Sequence, residues 1–150
     1  MKYYSITTNE ACVPAATSIT GTVSAPAGVR VVTGSGTLFA SELKSGDGVF
    51  DDTNNEIRIV DWVKNNTELW LRTGFSNALS GATVTVSSGS ASEISVRASG
   101  DVTIIDSSGN STTLLDGDSF NPKPEKNQSV QPFICDPAAN TAYIEIVGVG

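Results

Sequence analysis

The chain has 150 residues, of which 39% are hydrophobic and 17% are charged, and its net charge is −7 at neutral pH. This length suffices for one good core or for two small modules, so the chain needs no disulfide or metal to fold. An acidic surface repels a phosphate backbone, which disfavours nucleic-acid binding. The sequence has neither an apolar run of membrane-spanning length nor a signal-peptide core near Met1. We therefore expect that the protein is made in a reducing cytoplasm and does not associate with a membrane.

Runs of β-branched and aromatic residues, separated by Gly, Pro, Asn and Asp, predict an all-β fold of short antiparallel strands. In the first half the predicted strands cover Ser18–Ser24, Val29–Thr33, Gly48–Phe50, Glu56–Lys64, Glu68–Arg72 and Thr83–Ser87. One short helical turn is predicted over Leu38–Leu43, because Phe39 and Leu43 stand four residues apart.

Both tryptophans fall on the fourth and fifth of these strands. Alternation places Val60 and Trp62 on one face of the fourth strand, opposite a second apolar face, so we expect this strand to be covered on both sides. In the fifth strand, Trp70 is predicted to point away from Leu69 and Leu71.

A low-complexity segment, Ser87-Ser88-Gly89-Ser90-Ala91-Ser92, divides the chain. Its small polar residues predict a linker over 88–92 between two sandwich-like or barrel-like β modules, which cover 18–87 and 93–150. The strands of the second module are predicted over Ile94–Ala98, Val102–Ile105, Thr112–Leu115, Val130–Ile134 and Ala142–Val147. A hairpin turn is predicted at Asp106–Asn110, with Gly109 in a left-handed conformation.

The chain contains no histidine, which removes His-based catalytic triads and the commonest zinc and iron ligands. Cys12 and Cys135 have no redox or metal-binding spacing, so we expect two free, partly buried thiols, with a long-range disulfide as the alternative. Only carboxylates remain as catalytic candidates. Because turn aspartates usually cap backbone amides and strand tryptophans usually pack in cores, we expect a protein that is not an enzyme and has no cofactor.

One acidic stretch is a weak calcium candidate. Asp47, Asp51, Asp52 and Glu56 supply the hard oxygen ligands that Ca²⁺ prefers, but the stretch lacks the EF-hand spacing with its central glycine. Solvated turn carboxylates are therefore the default interpretation, and no metal is predicted.

Two stretches resemble modules of bacteriophage virion proteins. The first reads GSGTLFASELKSGD over 34–47, followed by RIV at 58–60, LWL at 69–71 and LSGAT at 79–83. This order resembles a small β module that recurs in phage tail fibres and tailspikes. The second, SVRASGDVTIIDSSGN over 95–110, is similar to the small β domain of head-spike base proteins of phages and gene-transfer agents. The similarity ends after Leu115, where the basic, Thr-rich stretch of those proteins is replaced.

The resemblance implies a non-catalytic virion structural protein, made in the host bacterial cytoplasm and displayed on the capsid surface as a decoration, head-fibre or spike-base subunit. The partners it implies are other virion proteins, namely the major capsid protein or a fibre or spike subunit. Because such particles are symmetric, we expect a homo-oligomer, specifically a trimer. The alternative is a tail-associated receptor- or carbohydrate-binding module, which exposure of Trp62 or Trp70 would favour. A glycan-degrading enzyme ranks third.

The N-terminal segment over 1–17 has two interpretations. Tyr3, Tyr4 and Ile6 are anchor residues with little local partner sequence, so the segment is predicted to be an arm that contacts a neighbouring subunit. An ordinary edge strand of the same chain is the alternative.

Overall fold

The structure, a computed structural model, describes residues 2–7, 10–124 and 129–148 of the chain. Within them it has sixteen strands and one short helix. In chain order these are β1 (Lys2–Ile6), β2 (Ala11–Val13), β3 (Thr17–Ser18), β4 (Thr22–Ala25), β5 (Val31–Ser35), α1 (Phe39–Glu42), β6 (Gly48–Asp51), β7 (Glu56–Asn65), β8 (Glu68–Leu71), β9 (Leu79–Ala82), β10 (Thr85–Ser87), β11 (Glu93–Ser99), β12 (Val102–Ile105), β13 (Ser111–Leu114), β14 (Ser119–Phe120), β15 (Phe133–Asp136) and β16 (Thr141–Val147). The protein is all-β with one short helix, as the sequence predicted.

The strands form three antiparallel sheets. The outer sheet has the order β1-β16-β11-β14, and the middle sheet has the order β13-β12-β15-β2. The barrel sheet has eight strands in the order β3-β10-β6-β7-β8-β5-β4-β9. Strands β9 and β10 lie near opposite ends of the barrel sheet, yet only two residues of chain separate them. The sheet therefore curls until its ends approach each other, which leaves little open edge.

The outer and middle sheets pack face to face as a sandwich. Their inward residues form one continuous apolar core, in which Val96 and Ile144 of the outer sheet meet Ile104, Phe133 and Cys135 of the middle sheet. Full burial of such side chains stabilises the fold by about 1.5–3 kcal/mol each. Alternation along the strands thus defines which residues belong to this core.

The other face of the middle sheet is also covered. Cys12 and Ile134 point away from the sandwich core and pack against Phe50 and Ile57 of the barrel sheet. The middle sheet is therefore apolar on both faces, and the molecule has three layers. This second contact joins the sandwich to the barrel through buried side chains.

The barrel has its own core around the short helix. Phe39 and Leu43 are buried among the inward residues of the barrel strands, including Val32, Val60 and Leu69. The short helical turn predicted over Leu38–Leu43 is present as α1, and it places these two side chains in the barrel core. The predicted hairpin also forms: β12 pairs with β13, and Gly109 has a φ of 88°.

The division of the chain differs from the one predicted. Strand β1 pairs with β16, and β2 pairs with β15, so Lys2–Ile6 and Ala11–Val13 belong to the sandwich rather than to a separate arm. Met1, Thr8 and Asn9 of the predicted segment lie outside the described residues. The edge-strand alternative therefore describes β1, since its partner strand lies in the same chain.

The segment predicted as a linker is packed rather than exposed. Ser87 is buried and its hydroxyl donates a hydrogen bond to the carbonyl of Pro14, while Ala91 is buried in the sandwich core. The amide of Gly89 donates to Oδ1 of Asp47 at 2.9 Å, and a Cβ at Gly89 would lie 1.9 Å from the carbonyl oxygen of Gly46. Small residues are present here because the backbones approach closely, which composition alone does not distinguish from a flexible linker.

Candidate functional site

The two tryptophans lie next to each other on the outside of the barrel. Trp62 in β7 and Trp70 in β8 are direct cross-strand partners. Their ring centroids are 6.2 Å apart and their planes are inclined by 19°. Trp62 is 45% exposed, and Trp70 is half-buried. We call this pair the tryptophan platform.

A β-bulge in β7 produces this arrangement. The register of β7 against β8 shifts between Val60, which pairs with Leu71, and Trp62, which pairs with Trp70. The extra residue, Asp61, moves Trp62 to the opposite face from Val60, which is buried in the barrel core. The prediction that Val60 and Trp62 share a face was therefore wrong, because alternation assumes an unbroken ladder. The predicted orientation of Trp70, away from Leu69 and Leu71, is confirmed by their burial.

The side chain of Arg30 extends over β8 and contacts one side of the platform. Its Nε donates a hydrogen bond to the carbonyl of Leu71 at 2.7 Å, and its Nη2 forms an ion pair with Asp61 at 3.0 Å. The centre of the guanidinium group lies 5.8 Å from the centroid of the Trp70 ring. This distance is in the range of a cation–π interaction, so one arginine contacts both β7 and β8 and packs against an aromatic ring.

Glu68 holds the other side of the platform. Its Oε2 accepts a hydrogen bond from Nε1 of Trp70 at 3.2 Å and lies 3.4 Å from Nζ of Lys64. With the Arg30–Asp61 pair, the rim of the platform therefore has two cations and two anions. The rim is locally neutral although the chain as a whole carries a net charge of −7.

A second exposed aromatic cluster lies on the outer sheet. Tyr143 in β16 is 46% exposed, and the guanidinium carbon of Arg97 in β11 lies 5.2 Å from its ring centroid. Tyr3 in β1 is 69% exposed and pairs with Glu145, two residues further along β16. We call Tyr3, Arg97 and Tyr143 the tyrosine face.

The three predicted N-terminal anchors do not share one surface. Tyr3 faces outward, whereas Ile6 is buried in the sandwich core and Tyr4 packs against that core. Burial, together with the neighbouring Cys135 and Cys12, raises the pKa of the Tyr4 hydroxyl to about 12. Among the described residues this hydroxyl has no hydrogen-bond partner. Of these three residues, Tyr3 alone has a side chain that is mostly exposed.

Three of the four acids of the calcium candidate, Asp47, Asp51 and Glu56, are engaged in separate structural contacts, and the fourth, Asp52, is exposed. Asp47 accepts hydrogen bonds from the amides of Lys44 and Gly89 and pairs with Nζ of Lys44 at 2.8 Å. Asp51 lies at the other end of β6, where it accepts hydrogen bonds from the Thr53 amide and from the Asn54 side chain. Within residues 2–7, 10–124 and 129–148, no group of three acidic or Cys side chains is arranged to hold a metal ion.

Glu56, the last of the four, pairs with a buried arginine. Its Oε1 lies 3.0 Å from Nη2 of Arg58, and both side chains are buried. It also accepts hydrogen bonds from the amides of Ser76 and Asn77 and from the Asn77 side chain. Burial alone would raise the pKa of this carboxyl, but these hydrogen bonds and Arg58 lower it below its usual value. Glu56 therefore stays ionised and orders the loop over 73–77.

Both cysteines are free, as expected from their spacing, and they are fully rather than partly buried. They lie on neighbouring strands, where Cys12 pairs with Ile134 and Cys135 pairs with Ala11. Their side chains point to opposite faces of the middle sheet, because Cys12 contacts the barrel and Cys135 lies in the sandwich core. Burial raises the pKa of both thiols, that of Cys135 to about 12.

Sequence reasoning missed Arg30, Arg97 and Tyr143 as surface residues of interest. Alternation in β11 and β16 does place Arg97 and Tyr143 on the outward face, but only the strand register brings them together. Arg30 precedes its strand, and nothing in the local sequence indicates that it reaches Asp61 in β7.

No family model, curated protein or solved structure matches this chain. Within the part of the chain that the structure describes, no helix is long and apolar enough to cross a lipid bilayer.

Proposed function

We propose that this protein is a non-catalytic structural subunit of a bacteriophage particle, displayed on the capsid surface and attached through the sandwich. The observation that carries the proposal is the tyrosine face, an exposed cluster of two tyrosines and an arginine on the outward face of the outer sheet. The motifs over 34–83 and 95–110 support the particle assignment by resemblance to virion modules.

The composition of the tyrosine face fits attachment to another protein. Tyrosine and arginine are enriched at the centres of protein interfaces and among the residues that dominate binding energy. The contact between Arg97 and Tyr143 restricts both side chains before binding, which lowers the entropic cost of association. The partner we propose is the major capsid protein or a fibre or spike subunit, and the barrel would then be the displayed unit.

The chemistry of the described residues supports a role in binding alone. Asp47 and Glu56, two of the carboxylates that the sequence left as catalytic candidates, are engaged in backbone capping and ion pairs. The raised pKa of the Cys12 and Cys135 thiols disfavours nucleophilic use of either residue.

The docking role is tested by incorporation of variants into particles. We expect Tyr143→Ala and Arg97→Ala each to lower the copy number per particle about tenfold or more, measured by quantitative mass spectrometry of purified particles. Leu38→Ala is the matched control, because Leu38 is similarly exposed but lies in the barrel unit. Normal incorporation of a folded Tyr143→Ala, Arg97→Ala double variant would contradict the proposal, as would absence of the wild-type protein from particles.

A further inference from the structure

We propose that the tryptophan platform binds a neutral glycan, with a pyranose ring packed against Trp62. This binding function goes beyond attachment to a particle and uses a different unit of the molecule. It holds whether the protein is displayed on the head or on the tail.

The apolar part of the platform matches one face of a sugar. A pyranose presents axial C–H groups on a face that packs against an indole ring, while its hydroxyls point outward around the ring. Trp62 is 45% exposed, and its near-parallel neighbour Trp70 stacks against it from the adjacent strand. Exposed aromatic surface of this kind is costly in water, and in soluble proteins it marks binding sites.

The polar rim matches the hydroxyls. Arg30, Asp61 and Lys64 have side chains that are each about half exposed, so both donors and acceptors surround the indole rings. These groups are already paired as Arg30–Asp61 and Lys64–Glu68, which makes the rim neutral. An anionic ligand would have to displace Asp61 or Glu68 from its cation, whereas an uncharged hydroxyl can share the existing pairs. The charge pattern therefore favours a neutral sugar.

The platform is ordered before any ligand arrives. Trp70 is fixed by the hydrogen bond from its Nε1 to Glu68 and by the guanidinium group of Arg30. Trp62 in turn stacks beside Trp70, so neither ring needs to lose much rotamer freedom on binding. Each sugar unit of a glycan makes only weak contacts, so a rigid aromatic pair favours its binding by keeping the entropic cost low.

A protein partner fits this surface less well. A stable protein interface buries about 1,200–2,000 Å² in total and has an apolar centre depleted of charged residues. Here the apolar surface is limited to one pair of indoles, and four charged side chains border it directly. The tyrosine face brings together side chains from three neighbouring strands, so it is the better candidate for the protein contact.

Intrinsic fluorescence tests the proposal directly, because the chain has only two tryptophans and both are in the platform. The purified full chain is screened with neutral hexasaccharides, namely cellohexaose, maltohexaose, chitohexaose and an α-mannohexaose, and with oligogalacturonate as an anionic comparison. We expect at least one neutral hexasaccharide to shift the emission to shorter wavelength and to protect it from acrylamide quenching. Calorimetric titration gives the affinity of the same sugar.

Variants separate binding from folding. We expect Trp62→Ala to weaken binding about tenfold or more, and Trp62→Phe, which keeps a stacking ring, to weaken it about threefold. Leu115→Ala, an exposed apolar residue of the sandwich, is the matched control and should bind like wild type. The circular dichroism spectrum and urea midpoint of each variant establish that it is folded.

Three results would overturn the proposal: no response to any neutral hexasaccharide at millimolar concentration, undiminished binding by Trp62→Ala, or binding of the oligogalacturonate alone. Loss of particle incorporation by Trp62→Ala without any sugar binding would also overturn it, and would assign the platform to a protein contact. Because attachment is measured on Tyr143 and Arg97 variants, failure of the glycan proposal is distinguishable from failure of the docking proposal.

Discussion

The buried pair of Glu56 and Arg58 shows how single side chains organise the barrel end. Arg58 donates from Nε to the carbonyl of Gly74 at 2.9 Å and from Nη2 to the Ser76 hydroxyl at 3.1 Å, and its guanidinium lies over the ring of Phe75. One strand thereby fixes the whole loop that follows β8. Each guanidinium nitrogen of Arg58 has a hydrogen-bond acceptor. A buried charge is tolerated when it is paired and hydrogen-bonded in this way.

Replacing Glu56 by glutamine removes the charge while keeping the shape. We expect Glu56→Gln to lower the free energy of unfolding at pH 7 by about 3 kcal/mol, because Arg58 stays buried without its counter-ion. Urea unfolding followed by circular dichroism measures this loss. The exposed Glu93→Gln is the control, expected within about 0.5 kcal/mol of wild type. A Glu56→Gln variant as stable as Glu93→Gln would contradict the account.

The same carboxyl predicts a pH dependence. Its pKa is lowered in the folded state, so its contribution to stability is complete above the unfolded value of about 4.3. That contribution is lost as the pH falls through the lower, folded pKa. The difference in unfolding free energy between wild type and Glu56→Gln should therefore narrow as the pH is lowered below about 4.3. A difference that stays constant from pH 7 to pH 3 would show that ionisation of Glu56 does not matter.

The two thiols should be inert in the folded protein. Cys12 is enclosed between the middle sheet and the barrel, and Cys135 lies in the sandwich core with a pKa of about 12. At pH 8 we expect both to react with Ellman's reagent at least about a hundredfold more slowly than free cysteine, since reaction requires opening of the structure. Two thiols per chain should react at once in urea. Fast reaction of either thiol in the native protein would contradict the described packing.

Among the elements, β1 has the clearest consequence for function. An arm that contacts a neighbouring subunit would be dispensable for the stability of the monomer, whereas an edge strand contributes to its own core. Ile6 is buried in that core and Tyr3, three residues earlier, is mostly exposed. Deleting residues 1–17 would also remove β2, so such a deletion cannot separate attachment from folding.

A pair of substitutions within β1 makes that separation. Ile6→Ala should lower the unfolding free energy by about 2–5 kcal/mol, the usual cost of truncating a buried isoleucine. Tyr3→Ala should change it by less than about 1 kcal/mol and act on particle incorporation instead. Urea midpoints of the two variants measure the contrast. An Ile6→Ala variant with wild-type stability would restore the arm interpretation.

The strands also show which parts of the fold can be predicted from the sequence alone. Strand β12 was predicted to its residue limits, and the faces of β8 were predicted correctly, because unbroken alternation with turn residues at both ends leaves little ambiguity. Strand β9 was missed, since its LSGA sequence has weak β propensity and forms only through pairing with β4.

The candidate sites were less predictable than the strands because, like β9, they depend on pairing between residues that are distant in the sequence. The outward direction of Trp70 followed from its neighbours, but that of Trp62 depended on a bulge at Asp61 that alternation does not reveal. The tyrosine face joins residues from β1, β11 and β16, which are far apart in sequence and meet only through long-range pairing. The packed segment at Gly89 likewise depends on contacts with Gly46 that its composition does not encode.

At the scale of the whole molecule, the two units should behave as one. The contact of Cys12 and Ile134 with Phe50 and Ile57 is fully apolar and buried, and the segment around Gly89 adds hydrogen bonds between the units. Interfaces of this kind couple the stabilities of the parts that they join.

Calorimetry tests this coupling. We expect a single thermal transition in which the calorimetric and van't Hoff enthalpies agree, although the chain contains two cores. Ile57→Ala, which opens the shared contact, should lower the melting temperature of the whole molecule or split the transition in two. Two separate transitions in the wild-type protein would contradict the packed arrangement.

The proposed function depends on where this protein lies in the particle and on which of its surfaces faces the solvent. Imaging of purified particles at residue resolution, by electron cryomicroscopy, tests it most directly. We expect density for this chain on the capsid surface, with Tyr3, Arg97 and Tyr143 against another virion protein and with Trp62 open to solvent. Density at the tail tip, or a capsid contact made through Trp62 with the tyrosine face exposed, would contradict it.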